Sequence, residues 1–255
     1  MKIGSPADGG HSAKYDVIGV GYREVRRPDP RLAALIAGAL GDALTVVNVG
    51  AGAGSYEPED REVTAVDPSR VMLDQHPGTR KIKAGAEELP FEDGAFDAAM
   101  AVMTVHHWPD PARGLAELRR VSRRQAVFTW DPAHRPELWL FEEYLPEVGE
   151  LDRSAFTPLS VVTGALDAHT VIPFPVPHDF TDGFRAAFWR RPESYLDPVV
   201  GAACSTLARL PASVVDPALA RRRVDLGAGG GRPPPADLLE RESIDYGYRL
   251  VLAGA

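Results

Sequence analysis

The segment 46–54 constrains the fold of this chain more than any other stretch. It reads VVNVGAGAG, an apolar run followed by three glycines that alternate with alanines. A run of this kind is typical of a strand that is buried on both faces of a parallel sheet. The glycine turn, residues 50–54, carries no side chain larger than a methyl group. Its backbone can therefore turn sharply, and a ligand can approach it closely.

The strand and the glycine turn are expected to lead into a helix near Ser55. A strand, a glycine-rich turn and a helix N-terminus together indicate a nucleotide-type site at the carboxyl end of the strand. The dinucleotide fingerprint would require its third glycine at position 55, where this chain has serine. The same turn also occurs as a plain loop, and this alternative stays open here.

Composition narrows the class of protein. The chain has 255 residues, of which 44% are hydrophobic and 25% charged, which fits one globular domain with an insertion. The formal net charge is −8, which disfavours nucleic acid as a partner. The single cysteine, Cys204, excludes an internal disulfide and favours the cytoplasm. Histidines and cysteines show no metal-ligand spacing, so we expect no metal. No stretch approaches the roughly 20 apolar residues of a membrane span, and no signal peptide is expected.

The second predicted strand, residues 62–67, ends in Asp67, and Pro68 and Ser69 open the next helix. In a doubly wound sheet, an acid at this position is placed to accept hydrogen bonds from ribose hydroxyls. The alternative is that Asp67 only caps the helix that follows. Because Asp67 comes about half a βα unit after the glycine turn, we favour the ribose interpretation.

Strands and helices alternate as far as residue 131. This predicts an α/β fold with a doubly wound, mostly parallel sheet and helices on both faces. The other predicted strands are 80–84, 96–102, 125–130, 171–176 and 245–253. Predicted helices start at residues 28–30 and 109–111, and further helices are predicted over 136–148 and much of 178–240.

Several motifs occur in the order found in one known family. They are the glycine turn, the segment VDPS at 66–69, the segment GAEELPF at 85–91, and a fourth strand that is followed by HHW at 106–108. With these motifs the chain resembles the class I S-adenosylmethionine-dependent methyltransferases, in particular the small-molecule type 11 group. The resemblance implies a Rossmann-like, seven-stranded sheet whose last strand is antiparallel. It also implies S-adenosyl-L-methionine as the cofactor.

The resemblance further implies a set of cofactor contacts. The glycine turn would lie against the methionine part, Asp67 would bind the ribose, and Met103 would line the slot at the end of the fourth strand. An N-terminal arm would close over the cofactor, with Arg26 as a partner for its carboxylate. The implied cofactor-binding residues are Tyr15, Tyr22, Arg26, Gly50, Ala51, Gly52, Gly54, Asp67, Pro68, Ser69, Met72, Ala86, Glu87 and Met103.

These motifs divide the chain into three predicted parts. Residues 1–30 form the arm, residues 31–177 and 241–255 form the cofactor-binding core, and residues 178–240 form a helical substrate lid. Ligands of such sheets lie outside the carboxyl ends of the strands. The insertion before the last strand is therefore the part that is free to vary with the substrate.

Two positions depart from the family pattern. Asn48 stands where the family usually has an acid, so the ammonium group of the cofactor loses one partner. The usual Pro-Gly-Gly turn before the fifth strand is replaced by SRRQ at 122–125. We expect both departures to be compatible with the fold.

His107 is the predicted catalytic residue. It follows the fourth strand and is expected to face the pocket, with His106 pointing elsewhere. Methyl transfer depends mainly on aligning the nucleophile with the methyl carbon, and a base is needed only for a protonated nucleophile. His107 can therefore act as a base, or it can only pack against or orient the substrate. The predicted substrate-binding residues are His107, Asp131, Phe184 and Trp189. The alternatives are that Asp131 caps a helix and that the aromatic residues belong to the core.

The predicted function is S-adenosylmethionine-dependent methyl transfer to a small organic molecule, with the acceptor atom undetermined. Two alternatives stay open. One is a protein that binds S-adenosylmethionine but does other chemistry. The other is a regulatory subunit with a degenerate site, for which Asn48 is the only sign. The expected partners are a small-molecule substrate, no nucleic acid and no membrane, in a monomer or a homodimer.

Overall fold

The computed structural model describes residues 27–134, 138–204, 207, 210–227 and 236–255. The N-terminal arm, with Tyr15, Tyr22 and Arg26, lies outside the described residues. The described strands are β1 Thr45–Val49, β2 Glu62–Asp67, β3 Lys81–Lys83, β4 Phe96–Val102, β5 Ser122–Trp130, β6 Thr170–Pro173, β7 Val176–Pro177, β8 Ser243–Ile244 and β9 Tyr248–Gly254.

The described helices lie before β1 and between the later strands. They are α1 Pro30–Ala39, α2 Arg70–Gln75, α3 Pro111–Val121, α4 Trp139–Tyr144, α5 Glu147–Ala155, α6 Leu159–Leu166, α7 Pro198–Ala203, α8 Ala212–Gly227 and α9 Ala236–Glu240. Short 3-10 helices cover Val105–His107 and Pro192–Leu196.

Seven strands form one sheet in the order β3–β2–β1–β4–β5–β9–β6, and β7 and β8 form a separate pair. The neighbours from β3 to β5 are parallel, whereas β9 is antiparallel to both β5 and β6. This confirms the predicted α/β fold, with a mostly parallel seven-stranded sheet and an antiparallel last strand. The carboxyl ends of β1, β2, β4 and β5 meet at one edge, where a ligand of such a sheet binds.

Both faces of β1 are buried. Val46 packs with Leu32 of α1 in one apolar cluster, and Val47 packs with Leu115 of α3 in a second cluster on the other face. Successive residues of a strand point to opposite faces, so a strand that is covered on both sides needs apolar residues at every position. This is why β1 reads as an unbroken apolar run, and it confirms the doubly wound arrangement.

The predicted starts of α1, α2 and α3 are confirmed, and each has a side chain that satisfies a free backbone N–H. Asp29 accepts from the backbone N–H of Arg31 at the start of α1. Ser69 accepts from the backbone N–H of Met72 at the start of α2. Asp110 accepts from that of Arg113 at the start of α3.

The prediction of a helix near Ser55 is wrong. Residues 50–61 form a series of turns that ends where β2 begins. Gly54 and Tyr56 have φ angles of +85° and +65°. Two left-handed residues so close together cannot continue a right-handed helix, and Pro58 removes a further backbone donor.

Other predicted boundaries also differ. β5 begins at Ser122 rather than at residue 125, because Ser122 is already extended, with φ −142° and ψ 155°. β9 begins at Tyr248 rather than at residue 245, after a turn at Gly247 with φ +91°. The predicted strand 171–176 is divided into β6 and β7. The predicted helix 136–148 consists of α4 and the start of α5 in its described part, and α6 was not predicted.

The insertion, residues 178–240, is not helical throughout its described part. Residues 178–191 form mostly turns, and α7 to α9 follow. Its aromatic side chains Phe180, Phe184, Trp189 and Tyr195 are at most 4% exposed and belong to the same apolar cluster as α1. The lid role of the insertion stays a prediction. In the part of the chain that the structure describes, no helix combines the length and the apolar character needed to cross a membrane.

Candidate functional site

The glycine turn is fixed to the end of the neighbouring strand. The backbone N–H groups of Gly50 and Ala51 both donate to the carbonyl oxygen of Val66, at 2.8 and 3.0 Å. Gly50 has φ +74° and Gly52 has φ +54°, a region that residues with a side chain rarely adopt. The backbone at this edge of the sheet therefore requires glycine.

The three glycines of the turn have different surroundings. A Cβ atom at Gly50 would collide with the side chain of Thr104, and one at Gly54 would come within 2.9 Å of Nε2 of His76. These two glycines are explained by packing inside the protein. A Cβ at Gly52 would meet only the terminal methyl of Met72, at 3.3 Å. Gly52 therefore leaves a cradle that a side chain would fill, which fits the close approach of a bound cofactor.

Asp67 lies directly beside this cradle. Its Oδ2 accepts from the backbone N–H of Gly52 at 2.9 Å, and its Oδ1 accepts from that of Ser69 at 2.8 Å. Burial raises the pKa of Asp67, although these two hydrogen bonds and the nearby His76 oppose the shift. The N-cap of α2 is Ser69, so Asp67 is not the capping residue. Each carboxylate oxygen can accept more than one hydrogen bond, and Asp67 keeps capacity for the hydroxyls of a ribose.

Met103 lies where β4 reaches the same edge of the sheet. It has φ +53°, an unusual conformation for a residue with a side chain, and its N–H donates to the carbonyl oxygen of Phe128 at 2.8 Å. Strained residues of this kind are concentrated at functional sites. The next residue, Thr104, packs against Gly50, so Met103 is brought next to the glycine turn.

Ala86 and Glu87 join the loop after β3 to the helix α3. Ala86 is buried, and its methyl group lies 3.1 Å from the place that a Cβ on Gly114 would occupy. Oε1 of Glu87 accepts from the backbone N–H of Asp110 at 3.2 Å. Pro68 is exposed, and Met72 is buried. The cofactor role of these four residues, and of the arm, stays a prediction.

A polar cluster lies behind the glycine turn. Nδ2 of Asn48 donates to Oε1 of Glu57 at 2.8 Å, and Nε2 of His76 lies 2.9 Å from the same oxygen. Nδ1 of His76 accepts from the backbone N–H of Gly78 at 2.9 Å, so the ring proton belongs on Nε2. Asn48 is 2% exposed, and its Oδ1 has no hydrogen-bond partner among the described residues.

Aromatic rings form a wall at the carboxyl ends of β4 and β5. The rings of His106 and His107 are 3.8 Å apart, so the expectation that His106 points elsewhere is wrong. The 3-10 turn that carries both residues places their rings side by side. The His106 ring stacks on Phe156 at 3.9 Å, and Phe156 meets the edge of Trp130 at 5.0 Å. We call these four residues the aromatic wall.

A buried ion pair supports the aromatic wall. Nη1 of Arg185 lies 2.6 Å from Oδ2 of Asp152, whose side chain is 1% exposed. The guanidinium also lies 4.8 Å from the centre of the Trp130 ring, a cation–π contact. Burial lowers the pKa of Arg185, but the carboxylate of Asp152 more than compensates, so the pKa is raised and the arginine stays charged.

The remaining predicted substrate residues are held by other contacts within the protein. Oδ1 of Asp131 accepts from the backbone N–H of Ala133 at 3.0 Å, within a turn rather than at a helix start. Phe184 packs on Tyr248 with ring centres 4.4 Å apart. Nε1 of Trp189 donates to the carbonyl of Val176 at 3.1 Å. Their substrate role stays a prediction. Among the described residues, no group of three or more His, Cys, Asp or Glu is placed to hold a metal ion.

Sequence reasoning missed Glu57, Thr104, Phe156 and Arg185. Thr104 follows β4 by two residues, where side chains reach a neighbouring turn, so strand position alone could have indicated it. The other three reach the site through contacts between distant segments, and no local pattern signals them.

The comparisons with known proteins agree with this geometry. The model of a methyltransferase domain family matches residues 47–129, which contain the glycine turn and the sheet from β1 to β5. A solved structure from Anabaena variabilis, described as a candidate methyltransferase from an antibiotic biosynthesis pathway, is 30% identical and superposes with a TM-score of 0.83. That match covers 91% of this chain and 99% of that one.

Two further relatives share parts of the chain or its fold. The 2-methyl-6-phytyl-1,4-hydroquinone methyltransferase 2 of Oryza sativa subsp. japonica is 34% identical over 111 residues, which are 38% of this chain and 31% of that protein. The chain thus spans about a third of the length of the curated relatives it matches. A geranyl diphosphate C-methyltransferase from Streptomyces coelicolor, solved with S-adenosyl-L-homocysteine, shares the fold: its TM-score is 0.51 and its identity 16%, over 88% of this chain and 75% of that one.

This chain has the glycine cradle, the acid at the end of β2 and the strand order described above. It is also similar over nearly its whole length to the solved methyltransferase structure from Anabaena variabilis. This chain belongs to the class I S-adenosylmethionine-dependent methyltransferases of the type 11 group, whose cofactor is S-adenosyl-L-methionine.

Proposed function

We propose that this protein transfers a methyl group from S-adenosyl-L-methionine to a small organic molecule. The observation that carries the proposal is the contact between Gly52 and Asp67, which joins an open glycine cradle to a buried carboxylate at 2.9 Å. Bound S-adenosylmethionine supplies a methyl carbon that is already activated by the positive sulfur. The protein then has to align the acceptor with this carbon and exclude water.

Each part of the site has a role in this proposal. Gly52 gives space to the cofactor, and Asp67 accepts hydrogen bonds from its ribose hydroxyls. Met72, Ala86, Glu87 and Met103 border the same slot, and Tyr15, Tyr22 and Arg26 of the arm close over it. The insertion, residues 178–240, is the proposed substrate lid, and it carries the proposed substrate contacts Phe184 and Trp189. Asp131, directly after β5, is a further proposed substrate contact.

The aromatic wall indicates an acceptor with a flat apolar part. The Phe156 ring lies 3.9 Å from the His106 ring and 5.0 Å from the Trp130 ring, and such ring faces and edges suit an aromatic or unsaturated molecule. The names of two relatives, a hydroquinone methyltransferase and a candidate methyltransferase from antibiotic biosynthesis, support a small organic acceptor.

His107 is the proposed catalytic residue, because it lies in the 3-10 turn that follows β4 and its ring is part of the aromatic wall. Two roles are distinguished by the pH profile. If His107 acts as a base, His107→Gln lowers kcat and removes the acidic limb of the profile. If His107 only orients the acceptor, KM rises and the profile keeps its shape.

The test begins with equilibrium binding of S-adenosylhomocysteine by calorimetry, for which we expect a saturable curve with one site. Incubation with S-adenosylmethionine that carries a labelled methyl group and a panel of phenolic and other small acceptors then detects transfer. A protein that binds no cofactor would be the regulatory subunit with a degenerate site. A protein that binds the cofactor and labels no acceptor would favour the alternative of other chemistry.

A further inference from the structure

A carboxylate from another segment of the chain lies beside Asn48. Asn48 stands where the family usually has a carboxylate, and its Nδ2 donates to Oε1 of Glu57 at 2.8 Å. Glu57 therefore brings a carboxylate to within one hydrogen bond of the position that lacks one. The two residues are nine positions apart, on either side of the glycine turn.

This pair presents two oxygens that need donors. Both hydrogen bonds to Glu57 fall on Oε1, and Oε2 has no partner among the described residues. Oδ1 of Asn48 is buried and likewise lacks a partner in the part of the chain that the structure describes. A buried acceptor without a donor is destabilising. One charged and one neutral acceptor, side by side, suit a compact cation with several N–H groups.

Glu57 is held in place from both sides. The left-handed conformation of Tyr56, with φ +65°, reverses the chain so that the next residue returns towards β1. On the other side, His76 is buried and lies 2.9 Å from Oε1 of Glu57, and its ring packs against Gly54 of the glycine turn. The carboxylate is thus fixed directly behind the turn that borders the cofactor cradle.

The pairing also explains why residue 48 is not an acid. An aspartate at position 48 would place a second carboxylate where the amide of Asn48 now donates, and the two like charges would repel each other. Asparagine instead stabilises the charge on Glu57. The site keeps one negative charge, moved from β1 to the loop.

We propose that Glu57 and Asn48 together bind the α-ammonium group of S-adenosylmethionine, with Glu57 as its counter-ion. This inference rests on the proposed function, because it assigns the amino-acid end of the same cofactor. His76 is a positioning residue that orients Glu57. The family acid is therefore displaced rather than lost, and the site is not degenerate.

The test compares two ligands that differ in the group concerned. S-adenosylhomocysteine carries the ammonium, whereas 5′-methylthioadenosine has the same adenosine and thioether without the amino-acid end. Loss of a hydrogen bond to a charged group predicts that Glu57→Gln weakens binding of S-adenosylhomocysteine roughly tenfold or more. Binding of methylthioadenosine should stay unchanged. Glu59→Gln removes a charge from an exposed position in the same loop and is the matched control. It should leave the affinity for both ligands unchanged.

A charge exchange makes the test sharper. In the double variant Asn48→Asp, Glu57→Gln the carboxylate returns to β1, and the new glutamine amide can donate to it. We expect this variant to recover most of the S-adenosylhomocysteine affinity that Glu57→Gln loses. Thermal melting confirms that each variant is folded before binding is measured by calorimetry.

The outcomes separate this inference from the proposed function. If Glu57→Gln lowers the affinity for both ligands equally, or for neither, Glu57 does not bind the ammonium. The same conclusion follows if the double variant binds S-adenosylhomocysteine as weakly as the single variant. The proposed function survives those results, because the wild-type protein still binds S-adenosylhomocysteine. If the wild-type protein binds neither ligand, the proposed function fails and this inference fails with it.

Discussion

The hydroxyl of Tyr56 donates a hydrogen bond to Oδ2 of Asp182 across 2.7 Å, although the two residues are 126 positions apart. Asp182 is 1% exposed and Tyr56 is 5% exposed. The same hydroxyl accepts from the backbone N–H of Asp29, at 3.3 Å. One side chain therefore joins the loop after the glycine turn, the start of α1 and the first part of the insertion.

Tyr56→Phe should lower the free energy of unfolding by about 1–3 kcal/mol, because it leaves the buried carboxylate of Asp182 without this donor. Urea denaturation measures the change. Tyr144→Phe is the control, since its hydroxyl donates to Asp225 at 2.9 Å in a partly buried place away from the turn. A loss for Tyr56→Phe no larger than that of the control would mean that the contact adds little to stability.

Gly52→Val should abolish binding of S-adenosylhomocysteine. The valine side chain would fill the cradle beside Met72 and would strain a backbone with φ +54°. Gly94→Val is a matched control, because Gly94 has φ +65° with open space around it and precedes β4 at the opposite edge of the sheet. The control should lose stability but keep affinity by calorimetry. Equal affinities for both variants would mean that the glycine turn is only a loop.

The pKa of Asp67 predicts opposite pH trends for stability and for binding. Burial raises this pKa above its ordinary value, so between the two values the folded protein binds more protons than the unfolded chain. The free energy of unfolding of the unliganded protein should therefore fall as pH rises through that window. Affinity for S-adenosylhomocysteine should rise over the same window, because the ionised carboxylate is the better acceptor for ribose hydroxyls.

Asp67→Asn should remove both pH trends. It should also weaken binding of S-adenosylhomocysteine by about 1.5–3 kcal/mol, the scale of a hydrogen bond to a charged group. Calorimetric titrations from acidic to neutral pH, paired with urea denaturation, measure this. An affinity for Asp67→Asn equal to that of the wild type, with only stability reduced, would assign Asp67 to holding Gly52 and Ser69 in place.

Arg185→Met should be strongly destabilising, by about 3–5 kcal/mol, because it leaves the carboxylate of Asp152 buried without its partner. The double variant Arg185→Met, Asp152→Leu should recover most of this loss, since apolar residues often replace a buried ion pair at little cost. Denaturation by urea gives both values. A double variant that is less stable than the single one would show that the pair itself stabilises the fold.

The elements that the sequence predicted well depend on local patterns. β2 and β4 were predicted with their observed ends, because most of their residues are buried and most of the buried ones are apolar. Asp29, Ser69 and Asp110 marked helix starts through their own chemistry. The glycine turn and Asp67 could be placed at one edge because parallel strands bring their carboxyl ends together.

The elements that were missed depend on contacts between distant segments. The left-handed conformation of Tyr56 replaces the helix expected near Ser55, and tyrosine gives no sign of it, because the hydrogen bond to Asp182 comes from another part of the chain. Glu57 reaches Asn48 only through that turn. The ion pair of Arg185 with Asp152 lies between two elements that the sequence does not pair.

The position of β9 in the sheet sets an order for folding during synthesis. β1 to β5 find their partners among strands made close in time, so the edge that carries the glycine turn and Asp67 can form early. β6 pairs with β9 alone within the sheet, and β9 comes much later in the chain. The closure of so long a loop is entropically costly and slow. We therefore expect the nascent chain to acquire its cofactor edge first, and to fix β6 and the insertion only after β9 has left the ribosome.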